Sequence, residues 1–219
     1  MRIINYLALL VCLLVSFVSQ CYEKVEVIGI SPTGPTVSIE QNAPFSSKFI
    51  DESRIENSKQ HDSTKLLAAE VPGVSTNSVQ NGVFQDDLIY RGYTASPLVG
   101  VPQGLSVLVN GFRMNEPLGD ELFWEIIPLQ SMKAIGFISG GSPLYGLNAL
   151  GGAVSYKLKT GLDFTDYRVT GLTGSWGRNS TGMEAGYINS SKDFGIIMNY
   201  KFYDENGWRE ASPSDFHSM

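Results

Sequence analysis

Few side chains in this 219-residue sequence are of the kind that break bonds. The only histidines, His61 and His217, stand far apart and outside the His-Glu-x-x-His spacing that seats a metal on one helix face. Gly140-Gly141-Ser142-Pro143 lacks the Gly-x-Ser-x-Gly pattern of a nucleophile elbow. No glycine-rich stretch runs into the Lys-Ser/Thr pair of a phosphate loop. Acidic residues are scattered, and no two are set apart as general acid and base. These patterns predict a non-enzyme with no metal and no cofactor. Binding chemistry is better represented. Glu23-Lys24-Val25-Glu26-Val27-Ile28-Gly29 alternates charged and apolar side chains, which places Val25 and Val27 on one face of an extended segment. Such a segment can add to the edge of a partner's sheet: backbone hydrogen bonds give affinity, and alternate side chains give selectivity.

The surrounding elements must present that segment and any loops that bind. Residues 22–44 read as an extended tether, since Pro32, Gly34 and Pro35 break any helix. Globular composition begins near Phe45. Lys48-Phe49-Ile50 is a strand candidate, and Asp51 can cap a brief helix through Ile55. Asp62 is an N-cap for a second helix, Ser63 to Glu70, with Leu66, Leu67 and Val71 as its apolar side and Pro72-Gly73 as its stop. Strands are predicted at Val74 to Val79, Asp87 to Arg91, and Leu105 to Val109, the last with Leu105, Val107 and Val109 on one face. Asn110-Gly111 is a tight-turn signal. A short helix at Pro128 to Met132 and strands at Ala134 to Ser139 and Gly152 to Leu158 complete a small α+β domain with a mixed sheet, spanning residues 45–160.

After Gly161 the pattern becomes one of longer alternating runs. Tyr167, Val169 and Gly171 begin the first; Met183, Ala185 and Tyr187 follow. Phe194, Ile196, Met198, Tyr200 and Phe202 share a face opposite Gly195, Asn199 and Lys201, with Asn189 to Asp193 as a turn before them. Aromatic-rich alternation over about ten residues is the signature of transmembrane β-strands. A soluble antiparallel sheet shows the same period, so the residues alone leave both readings open.

Composition narrows the choice of partner. The net charge is −6 and no Lys/Arg run occurs, which excludes nucleic acid. Charged residues make up 17%, with 23 Gly and 10 Pro, and this favours turn-rich β structure. Tyr6 to Val18 is an apolar run of 13 residues after Arg2, suited to a signal-peptide core. Ser19 and Cys21 put small residues at −3 and −1 for cleavage after Cys21. Retention as an uncleaved anchor, or lipidation at Cys21, are the alternatives. Cys12 and Cys21 are the only cysteines, so a signal spanning 1–21 leaves a mature chain without thiols.

Leu66 to Lys159 resembles the plug domain of TonB-dependent outer-membrane receptors. Val71-Pro72-Gly73-Val74 is similar to the family's "PGV", and Leu88 to Gly92 to its "IRG". Ser106 to Gly111 resembles "VLVDG", and Ile127-Pro128-Leu129 matches "IPL". Gly140 to Gly146, followed by Ala149 to Val154, is similar to "GPxSxLYG…AxGGxxN". Gly140-Gly141 stands where the family usually has "RGP", so one familiar basic residue is missing. Asp204 to Glu210 resembles the segment that follows the early barrel strands.

The resemblance implies an α+β plug inside a transmembrane β-barrel. Glu23 to Gly29 would be the TonB box, gripped by the periplasmic domain of TonB. It also implies export to the outer membrane, and uptake of a scarce nutrient such as an iron chelate. Apical loops, Thr94 to Gln103 and Phe112 to Asp120, would touch that ligand, with Arg91, Arg113, Asn115, Glu116 and Trp124 as contact candidates. A family barrel has about 22 strands, needing about 220 residues. The residues after Gly161 suffice only for its first strands, so a fragment or an interrupted gene is expected. A soluble periplasmic binding or adhesion module is the rival reading.

Overall fold

The computed structural model describes residues 47–78, 84–141, 145–162 and 164–206. The expected signal (1–21), the tether (22–44) with Glu23 to Gly29, and His217 lie outside the described residues.

Strand β1 (Ser47–Asp51) leads into helix α1 (Glu52–Ser58). The Asp51 carboxylate accepts the Arg54 amide at 2.8 Å, and that bond holds its pKa below the usual carboxylate value. Lys59 in the left-handed region ends the helix. Helix α2 (Ser63–Glu70) starts at Asp62, which accepts from Thr64 N at 2.9 Å. Leu66 and Leu67 are fully buried on its inner side. Strands β2 (Val74–Ser78), β3 (Asp86–Tyr90) and β4 (Tyr93–Ala95) form a three-stranded antiparallel sheet. Arg91 and Gly92, at φ 50° and 87°, make the tight turn between β3 and β4.

The larger sheet is mixed, in the order β1-β7-β8-β5-β6. It contains β5 (Leu105–Val109), β6 (Phe112–Arg113), β7 (Met132–Ser139) and β8 (Gly152–Leu158). β5 runs parallel to β8, and the remaining pairs are antiparallel. Leu105, Val107 and Val109 face the main core with Leu66, Leu88, Ile135 and Tyr156. The opposite face of the sheet is covered as well: Leu108 and Ile138 pack with Tyr145, Ala149 and Ala153. The helix expected at Pro128 to Met132 is a single 3-10 turn, Leu129–Ser131.

β9 (Tyr167–Thr173), β10 (Asn179–Ile188) and β11 (Gly195–Asp204) form a separate antiparallel meander in the order β11-β10-β9. Tyr167, Val169, Met183, Tyr187, Ile196, Met198, Tyr200 and Phe202 project outward and exposed. On β10, Ser180, Gly182 and Glu184 turn inward and are buried. The β10–β11 turn is closed by Asn189, whose Oδ1 accepts from Asp193 N and Phe194 N at 3.2 and 3.1 Å.

Candidate functional site

The parallel pairing of β5 and β8 gives the mixed sheet two distinct ends. At one, Asn110 donates its amide to Tyr156 O at 2.8 Å and accepts from Leu158 N at 3.0 Å through its side chain. β8 leaves that end toward the meander. At the other end, Gly151 N donates to Gly104 O and Gly140 N to Gly151 O, at 2.8 and 3.0 Å. Three connections gather there: residues 96–104, residues 114–122, and the described residues 140–141 and 145–151. Leu122 N bonds to Ser96 O at 2.9 Å, tying the first to the second.

Arg113 and Asp120 join the second connection to the third. Arg113 donates to Asp120 Oδ1 at 2.5 Å, and Asn148 donates to Asp120 Oδ2 at 2.8 Å. Asp120 and Asn148 both take positive φ, 59° and 57°, a conformation that short polar side chains tolerate. Arg113 Nε is buried without a partner among the described residues. Glu116 folds over its own loop, accepting from Leu118 N at 2.8 Å and Gly119 N at 3.3 Å. Val99, Leu118, Leu147 and Leu150 are exposed on these same three connections.

The five residues singled out as ligand contacts occupy different settings. Arg113 and Glu116 stand at the loop end. Arg91 is exposed in the β3–β4 turn, its guanidinium 5.1 Å from the Tyr90 ring centroid. The neighbouring Tyr93 packs where a side chain on Gly104 or Gly151 would sit, so the turn lies near that end too. Asn115 is 5% exposed and spends its amide on the backbone of β5. Trp124 is 1% exposed and belongs to the main core. These two are buried in the scaffold rather than exposed at the loop end. A polar or aromatic residue inside a loop motif carries no sign of which way it points, so the sequence did not separate them from Arg113.

A second polar assembly, not legible in the sequence, joins the plug-like domain to the meander. Lys159 follows β8 and is buried. Its Nζ lies 2.9 Å from Glu52 Oε1, 3.8 Å from Glu56 Oε1 and 3.0 Å from Glu184 Oε2. Arg168 of β9 pairs with Glu56 and lies 3.6 and 3.5 Å from Glu52 and Glu184. Burial raises the Glu56 pKa, with Arg168 opposing the rise and Glu52 adding to it. Beside this cluster a cavity of about 410 Å³ separates Ile55, Lys59 and Gln130 from Thr170, Gly182 and Lys201.

The TonB-dependent Receptor Plug Domain family matches residues 40–153. No curated protein matches the sequence. The fold is similar to that of BauA, the ferric preacinetobactin receptor from Acinetobacter baumannii, with a TM-score of 0.57 and 22% identity over 75% of this chain and 23% of that one. It is similar to the ferric-catecholate import receptor Fiu from E. coli K12, with a TM-score of 0.56 and 18% identity over 74% and 22% of the two chains. The copper transporter OprC gives a TM-score of 0.54 and 18% identity over 76% and 24%. The chain thus spans less than a quarter of the length of these solved receptors. A family match over half the sequence, with its motifs in order on a mixed sheet that feeds an open meander, places this protein: it belongs to the TonB-dependent receptor plug domain family.

Proposed function

We propose that the chain is the N-terminal part of an outer-membrane receptor whose plug gates TonB-dependent uptake of a scarce nutrient such as an iron chelate. The observation that carries this reading is the continuity of the plug fold into a wall. β8 runs directly into β9–β11, whose apolar side chains face outward while Ser180, Gly182 and Glu184 face the plug. That is the arrangement of a lumen-filling domain inside a barrel set in lipid. In this reading the domains are a signal at 1–21, a tether with the TonB box at 22–44, the plug at 45–160 and the first wall strands at 161–219. The soluble-module reading finds no support in this fold.

Ligand would reach the loop end, where Arg113 offers a half-buried cation and Glu116 caps its own turn. Arg91 would stand at the margin of that surface. Uptake across a membrane with no local ATP needs mechanical work, supplied through Glu23 to Gly29 by the TonB periplasmic domain. Proline at Val25 or Val27 removes an amide donor or bends the strand, and so blocks edge pairing. The test uses the complete receptor in cells lacking other iron receptors, offered a panel of ferric chelates and cobalamin. Val25→Pro and Val27→Pro are expected to bind ligand normally and to lose uptake, with Val27→Ala milder. Undiminished uptake by both proline variants would overturn the coupling role.

A further inference from the structure

We propose that Lys159 is a positioning residue that keeps α1 and the end of β8 fixed to the wall while the rest of the plug moves during uptake; this rests on the receptor reading above. In the cluster around Lys159, charges from three parts of the fold meet about one buried ammonium. Glu52 and Glu56 come from α1, Lys159 from the end of β8, and Arg168 and Glu184 from β9 and β10. The Lys159 side chain is 2% exposed and that of Glu184 8%. Lys159 also donates to Gln130 O at 3.3 Å. Lys159 and Arg168 both lie over the Phe164 ring, 5.5 and 5.2 Å from its centroid, so the linker between plug and wall closes the cluster.

A buried ammonium survives only among its partners, because removing one leaves an uncompensated charge in low dielectric. Lys159 and Glu184 therefore part only by stranding a buried charge. Elsewhere among the described residues the plug meets these three strands more loosely. Lys201 Nζ reaches His61 O at 3.4 Å, the His61 and Tyr203 rings sit 4.8 Å apart, and the 410 Å³ cavity lies between the two walls. Against these three strands the plug is held tightly at Lys159 and loosely beside it, so its motion relative to them pivots on that joint. The three ligand-facing connections sit at the far end of the sheet from it, where a pivot gives the largest displacement.

The experiment uses the complete receptor, purified in detergent and also expressed in cells. Three proteins are compared with wild type: Lys159→Met, the near-isosteric Glu184→Gln, and the apolar pair Lys159→Met with Glu184→Leu. Amide exchange across α1 and residues 156–159 is followed with and without the TonB periplasmic domain. In wild type those amides are expected to stay protected when TonB is added. In the single variants their exchange should rise by about tenfold or more, and maximal uptake per receptor should fall by a similar factor, with ligand Kd and half-saturation within about twofold. The apolar pair should restore protection and most of the uptake, since it removes both buried charges together. Opening of α1 in wild type on adding TonB would overturn the proposal. So would single variants whose yield falls while uptake per receptor stays normal, the mark of a purely structural role. Loss of uptake by wild type itself would count against the receptor reading alone, because the exchange measurement needs no transport.

Discussion

Asn115 gives Val107 the hydrogen-bond partner that β6 is too short to supply. β6 pairs with β5 only at Leu108↔Arg113 and Val109↔Phe112. Beyond that, Asn115 Oδ1 accepts from Val107 N at 2.8 Å and its Nδ2 donates to Leu105 O at 3.1 Å. One side chain thus replaces two residues of ladder at the start of β5, under the loop end.

Asn115→Ala leaves a buried amide and a buried carbonyl unpaired, and should destabilise the plug by about 2–4 kcal/mol. Asn115→Asp keeps the acceptor and loses the donor, and it adds a charge at a 5% exposed site. Both variants should melt earlier than wild type in detergent. A melting temperature unchanged in Asn115→Ala would show that water takes over both bonds.

Gly152→Ala tests the junction of the third connection with β8. Gly152 has φ 154°, and an added Cβ would run into the Ile138 carbonyl oxygen of β7. The expected cost is about 1–3 kcal/mol. Gly171 on the wall has open space around it, so Gly171→Ala should change stability by less than about 0.5 kcal/mol. Equal denaturation midpoints for the two variants would contradict this.

His61 predicts a pH dependence. Burial lowers its pKa from 6.5 to about 4, helped by Lys201 and Arg178 nearby. The folded state therefore binds a proton less readily than the unfolded chain. Stability is full above the unfolded value and falls as pH drops from 6.5 toward about 4. Asp62 works the other way: burial raises its pKa, so its folded form gains relative stability as pH falls through that raised value. The two contributions have opposite signs, so a rise in stability with pH between about 4 and 6.5 carries the sign of His61. His61→Gln should flatten that part of a melting-temperature profile, and an unaltered slope would assign it to other groups.

Arg113 distinguishes ligand contact from scaffold. Arg113→Lys keeps the charge but loses the guanidinium N–H that reaches Asp120, and should weaken chelate binding by about tenfold with little change in melting temperature. Trp124→Phe should do the reverse, since Trp124 is buried in the core. Titration calorimetry on the complete receptor checks both.

Local signals carried much of the fold into view. Asp51 and Asp62 cap their helices as their residue types suggest, and Leu105–Val109 begins and ends where its alternation does. Alternation after Gly161 gave the outward face of the meander residue by residue. β4 and β6 left no mark, because three- and two-residue strands are too short to show a period. The parallel partnership of β5 and β8 joins segments separated by the whole of β6 and β7, and such pairing has no local signature. Lys159 was invisible for the same reason: a lone lysine whose acidic partners lie on α1 and β10 reads as a surface charge. Asn115 sat in an expected apical loop and Trp124 beside it, but burial is decided by packing that such a loop does not describe.

Glu184 carries a further consequence for how the wall is built. Its strand alternates strictly, with Met183 and Ala185 pointing away from the plug and Glu184 toward it. A slip of one residue against β9 or β11 would exchange the two faces. The carboxylate would then sit on the hydrocarbon side, and Lys159 would be left buried beside a methionine or an alanine. Backbone hydrogen bonding alone is indifferent to such a slip. The ion pair is not, so the plug itself marks the correct register of the strands that follow it.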